Sequence, residues 1–95
     1  MNKFYITSIG FNVLGDELDM TLCQYENKIE FRQPHFERAW SEVLFDSELD
    51  ALNKLQDLYP DRRLTILEDT GKVLSTWGHE TGLTSMKIRK EKNND

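Results

Sequence analysis

The chain has 95 residues, of which 38% are hydrophobic and 31% charged, and its net charge is −5. This length predicts one domain with one modest core, and the aromatic content excludes disorder. The single cysteine, Cys23, excludes an internal disulfide framework and a cysteine-rich zinc site. No apolar run approaches the ~20 residues of a membrane-spanning helix, and MNKFYITSIGF has no signal-peptide core, so we expect a cytoplasmic protein that binds no membrane.

The first predicted elements are strands. Residues 3–11 are rich in β-branched and aromatic side chains, which favours a strand. Gly10 and Gly15 bracket residues 11–14, where we expect a turn.

Residues 17–32 are predicted to form a hairpin, because apolar and polar residues alternate along both of its arms. A two-residue loop at Glu26 and Asn27 places Leu22 opposite Phe31 and all the apolar side chains on one face. Asn27 is expected to adopt the positive φ of that loop. On the other face, Cys23 lies opposite Glu30, and we expect that face to be exposed to water.

A helix is predicted over residues 46–59. Its apolar stripe comprises Ala51, Leu52, Leu55, Leu58 and Tyr59. Ser47 or Asp46 is expected to cap its N-terminus, and Pro60 ends it, whereas residues such as Gln56 are expected to point away from the core. The preceding residues 35–45 have both helical and extended features, and we favour an extended stretch that ends in a short strand.

A second hairpin follows the helix. Its predicted strands are residues 63–67 and 72–77, joined by a three-residue loop, Asp69-Thr70-Gly71, with Gly71 in the left-handed conformation. This register sets Leu67 opposite Val73 and Ile66 opposite Leu74. Residues 77–82 are expected to form a loop, and the alternation around Met86 predicts a short edge strand before a disordered tail over residues 90–95.

Strand hairpins on both sides of one helix predict an α+β fold. We expect an antiparallel sheet of five to six strands in the order β-β-β-α-β-β, with the helix packed on one face. We expect one domain, residues 1–89, followed by the tail.

The charge is unevenly distributed along the chain. Residues 16–57 contain eleven acidic and four basic residues, whereas the C-terminal segment is slightly basic. An acidic body repels phosphate, so we expect no direct nucleic-acid binding. The acidic surface either only keeps the protein in solution or binds a basic partner.

The motifs that resemble catalytic sites have simpler explanations. Asp69-Thr70-Gly71 has the letters of the aspartic-protease triplet, but charged neighbours favour an ordinary hairpin turn. His35 and His79 lack the spacing of a zinc motif, Cys23 has no nearby base, and the glycines match no phosphate-binding loop. The sequence therefore predicts no catalytic residue, no metal site and no cofactor.

These observations favour a non-enzymatic acidic module that binds a protein partner with a basic surface. One specific form is an inhibitor that occupies the basic groove of a nucleic-acid enzyme, as phage and mobile-element inhibitors of host nucleases do. The alternatives are a homodimeric structural or regulatory protein and, less favoured, an enzyme whose site is shared between subunits. Trp40 and Trp77 are either core residues or interface anchors. The candidate partner-binding residues are Asp16, Glu17, Asp19, Glu26, Glu30, Glu37, Trp40, Glu42 and Trp77.

Overall fold

A computed structural model describes residues 3–91, and over this range the chain forms one helix and a seven-stranded antiparallel sheet. This confirms the predicted α+β fold. In chain order the elements are β1 (Phe4–Phe11), β2 (Glu17–Tyr25), β3 (Lys28–Arg32), β4 (Ser41–Glu42), α1 (Glu48–Leu58), β5 (Arg63–Ile66), β6 (Lys72–Trp77) and β7 (Glu80–Lys90).

The spatial order of the strands is β3-β2-β1-β7-β6-β5, with β4 paired to β2. Helix α1 packs on one face, which we call the helix face; the other is the open face. The buried core contains Ile6, Leu22, Ala51, Leu55, Leu64, Val73, Met86 and Ile88. Within residues 3–91 no helix has the length and apolarity that a bilayer crossing requires.

The first hairpin has the predicted register: Leu22 pairs with Phe31, and Cys23 pairs with Glu30. The alternation along both arms was sufficient to predict this register, because a shift of one residue would move the apolar side chains of one arm to the open face. The turn itself differs from the prediction. Positive φ is found at Glu26, with a value of 54°, and not at Asn27. A positive φ at the first loop residue is what a type II′ turn requires.

The predicted register of the second hairpin is wrong by one residue. Ile66 pairs with Val73, and the Leu67 amide donates to the Lys72 carbonyl oxygen at 2.8 Å, so the loop contains four residues. Gly71 does adopt the left-handed conformation, with φ of 75°. Its carbonyl accepts from the Ile88 amide at 2.8 Å, and this contact attaches the loop to β7.

Strand β7 corrects a further prediction. Residues 77–82 are not a loop, because β7 begins at Glu80 and only a tight turn at Gly78 and His79 separates it from β6. Nor is β7 an edge strand, because it lies between β1 and β6. The strand extends to Lys90, and the Glu91 amide donates to the Lys3 carbonyl at 2.7 Å. The rest of the predicted tail, residues 92–95, lies outside the described residues.

Helix α1 begins after Ser47, whose hydroxyl accepts from the Asp50 amide at 3.0 Å as predicted. Gln56 does not point away from the core. Its amide group donates to the Arg62 carbonyl at 2.6 Å and accepts from the Leu64 amide at 3.0 Å. This side chain therefore satisfies backbone groups in the connection between α1 and β5, a role that a helical periodicity does not predict.

Residues 34–39 form turns, and the short strand β4 covers only Ser41 and Glu42. Phe45 follows it and forms an isolated bridge with Phe4. The expectation of an extended stretch ending in a short strand is thus close, although turns replace its first half. This segment lies against the part of β2 that contains Cys23.

Candidate partner-binding surface

The loop between β1 and β2 is held by a dense set of hydrogen bonds. The Gly15 amide donates to the Asn12 carbonyl at 3.0 Å, and the Asn12 amide donates to the Asp16 carbonyl at 3.1 Å. The Asn12 side-chain oxygen also accepts from the amides of Leu14 and Asp16 at 2.9 and 3.0 Å. Gly15 has φ of 85°, as expected after a type I turn in a three-residue hairpin loop. The loop is therefore locally ordered by its own sequence.

This ordered loop presents apolar side chains to solvent. Val13 is fully exposed, Leu14 is 82% exposed and Phe11, at the end of β1, is 66% exposed. We call these three residues the apolar tip. Loop residues are commonly polar, and a large apolar side chain gains nothing from full exposure to water. The apolar tip is therefore the clearest feature of this surface that the fold itself does not explain.

Three of the predicted partner-binding acids lie beside the apolar tip. Asp16 belongs to the same loop, Glu17 pairs with Phe11, and Asp19 pairs with Ile9. All three are exposed. Because side chains alternate along a strand, Glu17 and Asp19 share the open face with Phe11. The hairpin end thus combines an apolar centre with a negatively charged side.

The remaining predicted acids lie elsewhere. Glu26 is in the β2–β3 turn, at the opposite end of β2. Glu30 and Glu37 both bind Arg32: the Arg32 Nε donates to Glu30 at 3.0 Å, and its Nη1 donates to Glu37 at 3.3 Å. Hydrogen bonding to Glu30 is the main cause that raises the pKa of Arg32. Arg32 therefore offsets one of these two negative charges and holds both side chains, which makes Glu30 and Glu37 weaker candidates for partner binding than the acids at the tip.

Trp40 packs against two side chains on the open face. Its ring lies 5.6 Å from the Tyr25 ring, and the Arg32 guanidinium stacks 4.7 Å from its centroid. The prediction that the Cys23 side of the hairpin is exposed to water is wrong, because Cys23 is fully buried. Strand β4 and the packing of Trp40 cover this side. Burial, and secondarily the charge of Glu42, raise the pKa of the Cys23 thiol. Trp40 and Glu42 thus lie in the segment that packs on the open face of β2, which we call the β2 cover.

Trp77 lies on the helix face, far from Trp40 in the sheet. It is 60% exposed, and its ring contacts the Arg62 guanidinium at 5.4 Å from the centroid. The two residues line a cleft of about 880 Å³ that also includes His79. The nine predicted residues are therefore divided between the side of the apolar tip, the β2–β3 turn, the ion pairs of Arg32, the β2 cover and this cleft.

No group of three or more His, Cys, Asp or Glu side chains in residues 3–91 could hold a metal ion. His35 and His79 line two different clefts. Asp69 is exposed in the hairpin loop that Gly71 closes.

Comparison with known proteins adds no assignment: no family model matches the chain, and no curated protein or solved structure matches it.

The sequence prediction missed the apolar tip, although its signal was present. Phe11, Val13 and Leu14 lie between Gly10 and Gly15, in a segment that was predicted to turn. Turns favour Gly, Asn, Asp, Ser and Pro, so aliphatic residues at the centre of one are unusual. The presence of aliphatic residues in a predicted turn is therefore the sequence signal that identifies these side chains as candidates for partner binding.

Proposed function

We propose that this chain is a non-enzymatic protein-binding module that inserts the apolar tip into an apolar pocket with a basic rim. The observation that carries the proposal is the ordered β1–β2 loop, which holds Val13 and Leu14 fully or almost fully in solvent. A loop that is already in its bound conformation loses little conformational entropy on binding, so more of the contact energy appears as affinity.

The contact area of the tip is substantial for so small a surface. Removing Phe11, Val13 and Leu14 from water contributes about 1.5–3 kcal/mol for each side chain that becomes fully buried. Three such side chains offset much of the free-energy cost of association, which is ~4–15 kcal/mol for the loss of translational and rotational freedom. The tip therefore supplies an anchor, and further contacts around it are needed for tight binding.

The neighbouring acids define the partner. Asp16, Glu17 and Asp19 add negative charge at one side of the tip, and the whole chain carries −5. Charges of this kind at an interface rim accelerate encounter with a positively charged surface and select against acidic partners. They also disfavour insertion of the tip into an anionic membrane. A basic protein groove is the surface that fits both the apolar and the charged part.

A groove that binds nucleic acid is the specific form we propose for that partner surface. Such grooves are basic because they neutralise phosphates, and they expose side chains that stack on bases. A small acidic protein seated there excludes the nucleic acid, so the proposed consequence of binding is inhibition of a nucleic-acid enzyme. The site of action we propose is the cytoplasm.

Affinity capture from a lysate of the native source tests the proposal. Wild-type protein and a Val13→Ser/Leu14→Ser variant are immobilised in parallel, and the captured proteins are identified by mass spectrometry. The expected result is one basic protein that wild type retains and the variant loses. Leu49→Ser is the matched control, because Leu49 is an aliphatic residue on α1 that is 63% exposed and far from the tip in sequence.

The charge contribution is measured with the captured partner. A Glu17→Lys/Asp19→Lys variant is expected to bind with a lower association rate, whereas Asp57→Lys on α1 should bind as wild type does. Wild-type affinity should fall as salt rises, since screening shortens to ~3 Å at 1 M. Equal capture by the tip variant and wild type would refute the proposal. A concentration-dependent dimer that the tip variant abolishes would instead establish the homodimer alternative.

A further inference from the structure

Strands β1 and β7 separate within the sheet. Their ladder pairs residues 4–7 with residues 87–90 and ends there. Beyond this point the described pairing joins residues 8–11 only to β2, and residues 80–83 only to β6. The hydroxyls of Ser8 and Ser85 are 2.9 Å apart at the point of separation. Each strand therefore has one edge whose backbone groups face the gap.

The cleft of about 880 Å³ opens at this gap on the helix face. Its volume lies within the ~300–1,000 Å³ typical of ligand sites. Phe31 and Met86 contribute apolar surface, Ser75 and Thr84 contribute hydroxyls, and Glu80 contributes a carboxylate at the end where β7 begins. Helix α1 does not cover this part of the sheet, so the cleft is open to a ligand from solution.

Arg62 lines the cleft with an incompletely bonded guanidinium. Its Nε is buried and has no hydrogen-bond partner among the described residues, and the nearest carboxylate oxygen, on Asp61, is 3.9 Å away. The guanidinium lies near two aromatic rings, 6.0 Å from the Tyr59 centroid and 5.4 Å from the Trp77 centroid. These rings orient the cation without using its N–H groups. The side chain as a whole is 35% exposed, so the guanidinium nitrogens beyond Nε can donate to a ligand in the cleft.

We propose that this cleft binds an extended peptide segment that carries a carboxylate. The peptide backbone pairs with the free edge of β7, and the carboxylate accepts from Arg62 while Trp77 covers it. Strand addition provides backbone hydrogen bonds, and the cleft provides side-chain selection. A carboxylate matches the planar guanidinium, with two parallel hydrogen bonds. The carboxylate belongs either to an Asp or Glu side chain or to a C-terminus, and both share this chemistry.

The peptide site is independent of the apolar tip. It uses the helix face and a positive charge, whereas the tip uses the hairpin loop and acidic residues. Loss of one site is therefore expected to leave binding at the other unchanged.

Selection from random peptides tests the proposal. A library of short peptides is displayed in two formats, one with a free C-terminus and one with both ends blocked, and selected on the intact protein. The expected result is enrichment of peptides that contain a carboxylate. Enrichment only in the first format assigns the ligand as a C-terminus, and enrichment in both assigns it as an acidic side chain. Binding of the selected peptides is then measured by the fluorescence of Trp77 in a Trp40→Phe background.

Variants of two adjacent arginines provide the matched comparison. Arg62→Gln should weaken the selected peptides about tenfold or more. Arg63→Gln should leave the affinity unchanged, because Arg63 is exposed and alternation places it on the open face. Methylation of alternate peptide amides should also abolish binding if the peptide adds to β7. The proposal is wrong if no peptide is enriched, if both arginine variants bind equally well, or if methylation has no effect.

Discussion

Replacing Leu22 with alanine tests the face assignment of the sheet. Leu22 is buried on the helix face, opposite Phe31 and in the same core as Leu55. The change removes three carbon atoms, which at about 0.8 kcal/mol each accounts for about 2.4 kcal/mol. The cavity that remains adds to this loss, so the expected decrease in the free energy of unfolding is about 3–4 kcal/mol.

Thermal and urea unfolding measure the effect. A loss of this size lowers Tm by roughly 12–30 °C in a chain of this length, because each kcal/mol corresponds to about 4–8 °C. Thr21→Ala is the control: Thr21 pairs in the same ladder but faces the open side, so its loss should stay below about 1 kcal/mol. If the two variants lose the same stability, the side chains are assigned to the wrong faces and the core described above is incorrect.

Three further predictions concern a turn, a thiol and an ion pair. Gly71→Ala should destabilise the protein by more than the ~1–2 kcal/mol of a left-handed residue, because the new Cβ would lie 2.2 Å from the Ile88 carbonyl oxygen; an unchanged urea midpoint would contradict this contact. The thiol of Cys23, whose pKa burial raises, should react with a disulfide reagent only when the protein opens, so rapid labelling of the native state would disprove its burial. The hydrogen bond from Lys3 lowers the pKa of Asp46, so the ion pair stabilises the fold above the ordinary aspartate pKa and this contribution disappears as the pH falls through the lowered value. Asp46→Asn should therefore be less stable than wild type at neutral pH and equal to it in acid, and an equal deficit at both would contradict the pairing.

Local sequence patterns were sufficient to predict the register of the first hairpin and the cap and buried side of the helix. In the hairpin, Leu18, Met20 and Leu22 alternate with polar residues and match Ile29 and Phe31 on the other arm, so only one register places Leu22 opposite Phe31 on the apolar face. In the helix, Ser47 and the apolar stripe specify both the cap and the buried side. These features depend on residues close together in sequence, and sequence patterns report such features well.

Features that depend on distant contacts were not predictable. The loop of the second hairpin contains one more residue than expected, and its last residue, Gly71, accepts from the Ile88 amide of β7, a contact distant in sequence. Most of β7 was missed because residues 80–85 have little apolar alternation; pairing with β6 makes them a strand. The burial of Cys23 depends on a separate segment that includes Trp40. In each case the missing information was the position of another element.

The acidic residues of the candidate surface could be predicted from the sequence, but the apolar tip at its centre was not. Acidic residues were visible from composition, and Asp16, Glu17 and Asp19 do lie together. Composition does not show which acids form ion pairs, and the pairing of Glu30 and Glu37 with Arg32 is visible only in the folded chain. The exposure of the apolar tip likewise follows from the length of the hairpin and not from the hydrophobicity of its residues.

Site-specific photocrosslinking tests the central proposal, that the apolar tip contacts a protein partner, most directly. A photoreactive amino acid is placed at Val13 or, as a control, at Leu49, and each protein is irradiated in a lysate of the native source. We expect one discrete crosslinked product from position 13, containing a basic protein, and none from position 49. The same products from both positions, or a product only from position 49, would contradict it.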